Sequence, residues 1–155
     1  MFVVKDIMLD DIIKHAHQIC SESGVKLTTK REHVLSALIQ ASEAMSAYEL
    51  AERYREIFEQ SIPAMSVYRI LDFLAEHSLV HKLTSANKYI ACSHITCSHT
   101  HNVPQFLICE LCNSVSEISV KKTVMNELTA SVEKTGFKLS THQLELKGIC
   151  QDCQE

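Results

Sequence analysis

Two Cys-x-x-Cys pairs in the last third of the chain constrain its fold more than any other feature. The first motif is formed by Cys109 and Cys112, and the second by Cys150 and Cys153. A turn with two intervening residues aims both sulfurs of a pair at one point, and two such pairs supply the closed tetrahedron that structural zinc prefers. A redox dithiol of the thioredoxin type needs one pair at a helix start and leaves the other unexplained. The spacing therefore predicts a four-thiolate zinc site whose metal-binding energy is folding energy.

Cysteine and histidine usage indicates the compartment. The chain has seven cysteines and nine histidines. It shows no apolar N-terminal leader and no apolar run near the length of ~18 residues that a membrane helix needs. Reducing compartments keep thiols available for metals. We therefore expect a cytoplasmic protein with no membrane partner.

The charge balance limits how the chain could bind nucleic acid. The formal net charge is −4 and the pI is about 6.1, and residues 1–84 carry nine Lys and Arg against twelve Asp and Glu. Proteins that coat nucleic acid by bulk electrostatics are usually strongly basic. DNA binding would therefore require a local basic face. The acidic balance also leaves open a zinc-stapled interaction module that binds no DNA.

Apolar periodicity and capping signals divide the first half into four helices and a hairpin. Ser46 with Glu49, and Thr29 with Glu32, have the spacing of a capping box, and Ser66 is a candidate N-cap. The period predicts helices over 7–23, 29–41, 46–58 and 66–77, followed by strands over 79–83 and 88–91. Compact helices followed by a hairpin form the winged-helix arrangement, in which the last helix enters the major groove of DNA.

The second half has the pattern of a small α/β module. Residues 93–102 are rich in Cys and His without an apolar period, and they read as a hinge. Beyond them the pattern predicts strands over 105–108, 115–120 and 137–146 and a helix over 123–134. The predicted fold class is α+β, with a winged-helix DNA-binding domain over 1–91, a hinge with metal ligands over 92–103 and a small α/β domain over 104–155.

A second, less regular set of metal-binding residues spans both halves: His81, Cys92, His101 and Glu117. Two nitrogens, a thiolate and a carboxylate suit tetrahedral zinc better than iron or manganese. Each residue also has an ordinary structural explanation, such as a core cysteine or a solvated charge. Substitute or additional ligands are His94, Cys97, His99 and His142. A zinc-dependent hydrolase using His81, Cys92 and His101 is an alternative, although no oxyanion stabiliser or phosphate loop accompanies them.

Several stretches resemble the ferric uptake regulator family, and within it the zinc uptake regulators. They are LTTKREHVL (27–35), SAYELAERYRE (46–56), SVYRILDFLAEHSLVHKL (66–83), YIAC (89–92), FLICELC (106–112) and GFKLSTHQLELKGICQDC (136–153). The resemblance implies a homodimeric bacterial repressor that binds double-stranded operator DNA when zinc-loaded and represses zinc-uptake genes. It implies that the C-terminal α/β domain is the dimerisation domain.

The same resemblance implies two zinc ions per chain. The structural ion would lie on the four paired cysteines and the regulatory ion on His81, Cys92, His101 and Glu117. The segment ITCSHTHNVPQ is about one residue longer than in related zinc regulators, so His99 competes with His101. His142 has the context of a histidine that iron-type members use, which leaves a third site open.

One missing histidine narrows the choice of metal that the chain could sense. QASEAMSA lacks the histidine that iron-type members carry there, which favours zinc. Iron-, manganese-, nickel- or peroxide-responsive regulators of the same family stay as alternatives. Glu52 and Arg55 could form a surface pair or bridge neighbouring dimers, so two dimers per operator are left open.

Candidate DNA contacts lie on the predicted helices and the wing. Arg69 is the main base-reading candidate because a guanidinium can donate two hydrogen bonds to guanine. Ser66 and Tyr68 could contact bases or phosphates, and Tyr48 is a candidate by resemblance. Phosphate contacts, which position a protein without reading sequence, are expected from Lys26, Lys30, Arg31 and Lys82.

Overall fold

The protein is described here by a computed structural model covering residues 2–41, 43–96 and 105–154, with side chains from residue 8 onward. The chain divides into two compact units, Met1–Cys97 and Ser98–Glu155. Helices and two small sheets make up both units, which confirms the α+β class. Across the described ranges, every helix is too short or too polar to serve as a membrane span.

The first unit is a winged helix. Its elements in chain order are α1 (Phe2–Glu22), α2 (Thr29–Ala41), α3 (Ala47–Phe58), α4 (Ala64–Glu76), β1 (Val80–Leu83) and β2 (Lys88–Ala91). β1 and β2 pair antiparallel. Met45 forms an isolated antiparallel bridge beside β2, because its N–H and carbonyl each bond Tyr89, at 2.9 and 2.8 Å. The predicted winged-helix fold is confirmed.

The predicted start of α3 is confirmed, whereas the predicted start of α4 is wrong. α3 has the predicted capping box, in which Ser46 Oγ accepts from the Glu49 N–H and Glu49 accepts from the Ser46 N–H. The prediction that Ser66 caps α4 is wrong, since the helix begins two residues earlier, after Pro63. The Pro63 carbonyl accepts from the Ser66 and Val67 N–H groups, and proline's fixed φ suits a helix start.

A contiguous apolar core holds the first unit together. Leucines from three helices are fully buried in it, together with one tyrosine from α3 and one from β2: Leu35, Leu38, Leu50, Leu71, Leu74, Tyr54 and Tyr89. Cys20 and Cys92 are also buried there. Burying each large aliphatic side chain is worth roughly 1.5–3 kcal/mol. The unit therefore has a core of its own.

The second unit is a three-stranded sheet with one helix. Its elements are β3 (Gln105–Cys109), β4 (Val115–Ile118), α5 (Lys122–Glu133) and β5 (Glu145–Gly148), followed by a single 3-10 turn at Gln151–Cys153. The strand order is β4-β3-β5, with β3 antiparallel to β4 and parallel to β5. The helix and the first two strands agree with the predicted elements to within a few residues.

The strand predicted over 137–146 is wrong over most of its length, because β5 begins only at Glu145. The fully buried Gln105 amide binds the backbone ahead of β5. Its Nε2 donates to the His142 carbonyl at 2.9 Å, and its Oε1 accepts from the Leu144 N–H. A side chain thus satisfies backbone groups that a ladder would otherwise pair.

Candidate metal centres and nucleic-acid surface

Parallel pairing of β3 and β5 brings the four paired cysteines together. Cys109 ends β3 opposite Gly148, so the chain beyond β5 places Cys150 next to it. The four Sγ atoms all lie within 4.8 Å of one another, and those of Cys112 and Cys150 are 3.6 Å apart. A tetrahedral zinc with Zn–S near 2.3 Å requires S···S separations of about 3.8 Å. The donor set and its spacing fit one zinc ion.

Hydrogen bonds lower the pKa of two of these four thiols. The Cys150 N–H, 3.4 Å from Cys109 Sγ, is the largest of several backbone donors that lower the pKa of Cys109 to about 6. A hydrogen bond with Ser114, 3.1 Å from Sγ to Oγ, lowers the pKa of Cys112. Hydrogen bonding with Cys150 and Cys112 raises the pKa of the Cys153 thiol to about 12. Protein metals bind the thiolate, so the first two residues are the readier ligands.

His81 and Cys92 come together within the first unit. His81 lies on β1 opposite Ile90, and Cys92 follows β2 with its N–H bonded to the Leu79 carbonyl at 2.9 Å. A ring nitrogen of His81 and the Cys92 Sγ lie within 4.8 Å of each other. Cys92 also accepts a hydrogen bond from the His94 N–H at 3.4 Å. The hairpin register therefore supplies two of the predicted regulatory ligands side by side.

The other predicted ligands do not join His81 and Cys92 within the first unit's described residues. Glu117 lies half-buried on β4, opposite Phe106 in the second unit. Cys97, His99 and His101 lie outside the described residues. Within the ranges that are described, neither His94 nor His142 belongs to a group of three or more potential ligands. His142 is exposed, and only its carbonyl takes part in the Gln105 contact.

An aromatic and cationic surface lies at the start of α3 and α4. Arg69 is exposed on α4, and the adjacent Tyr68 ring meets the Tyr48 ring edge to face with centroids 6.2 Å apart. Tyr48 is 66% exposed despite its size. Ser66 is half-buried in the first turn of α4. Tyr48 and Tyr68, two of the predicted DNA-contacting residues, are therefore in contact, and Arg69 is exposed on the same helix as Tyr68.

The four predicted phosphate contacts do not share one environment. Lys26, Lys30 and Lys82 are exposed. Arg31 is half-buried, with its guanidinium carbon 3.7 Å from the centre of the Phe73 ring and Nη1 donating to the Lys26 carbonyl at 2.9 Å. Sequence reasoning missed Phe73, because nothing in the spacing of α2 and α4 indicates which side chains meet.

Comparison with known proteins gives consistent matches over nearly the whole chain. The model of the Ferric uptake regulator family matches residues 22–147. The zinc uptake regulation protein of Escherichia coli (strain K12) is 37% identical over 147 residues, covering 94% of this chain and 82% of that protein. The peroxide operon regulator of Bacillus subtilis (strain 168) is 31% identical over 147 residues, covering 92% and 94%. The structure of a zinc uptake regulator complexed with zinc and DNA has a TM-score of 0.79 at 31% identity, covering 94% of each chain.

Proposed function

Because this chain belongs to the ferric uptake regulator family, we propose that it is a zinc-responsive transcriptional repressor that binds operator DNA and controls zinc-uptake genes. The observation that carries the proposal is the proximity of an imidazole and a thiol, those of His81 and Cys92, at the wing. These are zinc-preferring donors, whereas iron and manganese sites favour more oxygen ligands. The similarity to a zinc uptake regulator complexed with zinc and DNA supports the same function.

We assign the two metal sites different roles. Cys109, Cys112, Cys150 and Cys153 hold a structural zinc that ties the end of β3 to the chain after β5. His81, Cys92, His101 and Glu117 hold the regulatory zinc, with His99 as the competitor for His101. The complement is two ions per chain, with His142 left for a third site.

The proposed zinc regulation of DNA binding depends on which unit of the chain carries each regulatory ligand. His81 and Cys92 belong to the winged-helix unit, whereas Glu117 belongs to the second unit. These donors would be held at one centre by bound zinc. Ligands drawn from both units can have different affinity in different interdomain arrangements, which is what a population shift requires. DNA competence then follows free zinc. The boundaries we propose are 1–91 for DNA binding, 92–103 for the hinge and 104–155 for dimerisation.

An exposed apolar face on the second unit supports a homodimer. Leu107 on β3 pairs with Leu146 on β5, and they are 40% and 48% exposed. Directly paired residues project from the same face of a sheet. Val124 and Leu128 on α5 are exposed as well. Exposed apolar surface of this kind marks protein interaction sites, and a second copy of this chain is the occupant that we propose for the face around Leu107 and Leu146.

DNA recognition is assigned to the surface around α4. Arg69 reads a guanine edge in the major groove, with Tyr48, Ser66 and Tyr68 contacting bases or phosphates beside it. Lys26, Lys30 and Lys82 contact phosphates. Glu52 and Arg55 form an exposed ion pair at 2.9 Å within α3, and a bridge from these side chains to a neighbouring dimer is the alternative that would place two dimers on an operator.

The assignment makes the protein a cytoplasmic regulator, not an enzyme. A zinc-dependent hydrolase using His81, Cys92 and His101 would show turnover and need a substrate site. Iron-, manganese-, nickel- or peroxide-responsive regulation is the nearer alternative, since a peroxide operon regulator is among the relatives. Metal content after purification and competition between metals separate these functions.

The deciding experiment measures DNA binding across buffered free zinc. The probe is a duplex selected by the zinc-loaded protein from a randomised double-stranded pool, and the proteins are wild type, Cys92→Ser and Cys20→Ala. We expect wild type and Cys20→Ala to bind only when zinc is available, because Cys20 is a buried residue of α1 and is not one of the proposed zinc ligands. Cys92→Ser should lose zinc-dependent binding.

Two results would contradict the proposal. One is wild-type binding that ignores free zinc. The other is a Cys92→Ser response that matches wild type, which would remove Cys92 from the regulatory site. Activation by iron or manganese at concentrations where zinc has no effect would favour the other branch of the family.

A further inference from the structure

We propose that Arg31 is a positioning residue for the recognition helix α4 and acts through Phe73 instead of contacting a phosphate. The proposal rests on the DNA-binding function proposed above and deepens it. It also replaces the expectation that Arg31 is one of four equivalent phosphate contacts. It concerns only contacts inside the winged-helix unit.

The geometry connects three segments of that unit through one side chain. Arg31 lies on α2, and its guanidinium carbon is 3.7 Å from the centre of the Phe73 ring on α4. Its Nη1 donates to the Lys26 carbonyl, 2.9 Å away in the loop between α1 and α2. A hydrogen bond to a fixed carbonyl orients the guanidinium plane, and guanidinium is weakly hydrated and stacks well on aromatic rings.

The position of Phe73 on α4 gives this contact its consequence. Phe73 follows Arg69 by four residues, so the two side chains lie on adjacent turns of one side of the helix. The Phe73 ring also packs on the His77 ring one further turn along, with centroids 4.6 Å apart. Holding Phe73 therefore adds to the buried leucines of α4 in limiting rotation of the helix about its axis, and so influences where Arg69 points.

The neighbouring Lys30 has the solvent exposure that a phosphate contact requires. Lys30 precedes Arg31 on α2 and is exposed, whereas Arg31 is half-buried with one face of its guanidinium over a ring. The Lys26 carbonyl held by Arg31 belongs to a residue that we assign to a phosphate. One arginine thus orders both the loop that we assign to a DNA phosphate and the helix that we assign to base reading.

The test compares four zinc-loaded variants on the duplex selected by wild type: Arg31→Gln, Phe73→Leu, their double variant, and Lys30→Gln. Affinity is measured over a range of salt concentrations. Each single change in the Arg31 and Phe73 pair should weaken binding about tenfold, and the double variant should be no weaker than the worse single variant. The slope of log affinity against log salt should stay at the wild-type value for Arg31→Gln, and should fall in magnitude by about one for Lys30→Gln.

The opposite pattern would overturn the proposal. A phosphate contact at Arg31 predicts that Arg31→Gln reduces the salt slope by about one and that its loss multiplies with that of Phe73→Leu. If Arg31→Gln does not fold, Arg31→Lys decides instead. It keeps the charge but loses the planar fork, so positioning predicts a loss close to tenfold and phosphate contact predicts near wild-type affinity.

Unfolding in urea without DNA separates this proposal from the repressor function. All four tyrosines lie in the winged-helix unit and the chain has no tryptophan, so tyrosine fluorescence reports that unit alone. Non-additive stability changes for Arg31→Gln and Phe73→Leu would support the coupling. Additive changes would overturn it. Failure of wild type to select any duplex would instead overturn the repressor function, with the coupling still measured.

Discussion

The two units obtain their stability by different means. The winged-helix unit has a contiguous buried core drawn from four helices and the hairpin. Among the described residues of the second unit, only Gln105, Phe106 and Cys109 are buried. That unit instead exposes large apolar side chains: Leu107, Leu111, Val124, Leu128, Phe137, Leu146 and Ile149. For a small sheet with so little of its own core, we expect stability to come from the proposed zinc and the proposed dimer partner.

The largest expected effect comes from removing one of the proposed zinc ligands of the second unit. Cys150→Ser, or chelation of zinc from wild type, should unfold or monomerise the second unit while the first unit stays folded. Structural zinc in small domains contributes apparent binding energies of about 10–16 kcal/mol, which is folding energy. Amide exchange should show lost protection in β3 and β5, with tyrosine fluorescence unchanged.

The control for this prediction is another cysteine that lies in an apolar core. Cys20→Ala removes a thiol from the first unit and should leave the structural zinc stoichiometry intact. A Cys150→Ser protein that remains a zinc-responsive dimer would show that the second unit is stable without its metal.

Truncating a core leucine should have the converse effect. Leu71 is fully buried in α4, so Leu71→Ala leaves a cavity and should lower the free energy of unfolding of the first unit by about 2–5 kcal/mol. Tyrosine fluorescence in urea measures this loss directly. Zinc content and the protection of β3 and β5 should not change. Loss of the zinc ion in the same variant would mean that the two units do not fold separately.

A charge on the exposed apolar face should weaken self-association. Leu146→Glu places a carboxylate beside Leu107 on the sheet, and it should weaken dimerisation by roughly ten- to a hundredfold. Sedimentation over a range of protein concentrations measures the dissociation constant. The control is Lys147→Glu, because successive side chains of a strand project from opposite faces. Equal dimerisation of Leu146→Glu and wild type would exclude this face from the interface.

Much of the first unit could be predicted from its residues alone. The capping box at Ser46 and Glu49 and the apolar period of α2 to α4 depend on local interactions, which the sequence carries directly. The start of α4 could not be predicted from the Ser66 side chain, because the backbone turn at Pro63 begins the helix first. The prediction of a strand before Glu145 is wrong for another reason. A buried amide from Gln105, distant in sequence, takes the hydrogen bonds of that segment.

The candidate sites divide in the same way. Cysteine spacing is enough to predict the four-sulfur cluster, since each pair is local and the α/β pattern brings the pairs onto neighbouring strands. The proximity of His81 and Cys92 follows from the hairpin register. The contact between Arg31 and Phe73 does not follow from any spacing, because it depends on how α2 packs against α4.

The smallest predicted effect concerns helix ends, where the units again differ. α3 begins with a capping box, and Lys88 of the wing adds an ion pair to Glu49 at 3.3 Å. The N-cap residue of α5, Lys121, makes no side-chain capping hydrogen bond. The Ser46 N–H, and then Lys88, hold the pKa of the Glu49 carboxyl below its ordinary value of 4.5. Glu49→Gln should therefore cost the first unit only ~0.5 kcal/mol at neutral pH, as expected for an exposed pair.

The pH dependence of that cost fixes its origin. A carboxyl whose pKa is lowered by folding stabilises the folded state above its unfolded pKa, and the stabilisation is lost as the pH falls through the lower folded value. The difference between wild type and Glu49→Gln should thus be constant above about pH 5 and shrink below pH 4.5. Urea unfolding followed by tyrosine fluorescence at several pH values measures it, with Glu56→Gln, exposed later in α3, as the control. A difference that persists unchanged into acid would assign the loss to packing, since protonation removes only the ionic part of the cap.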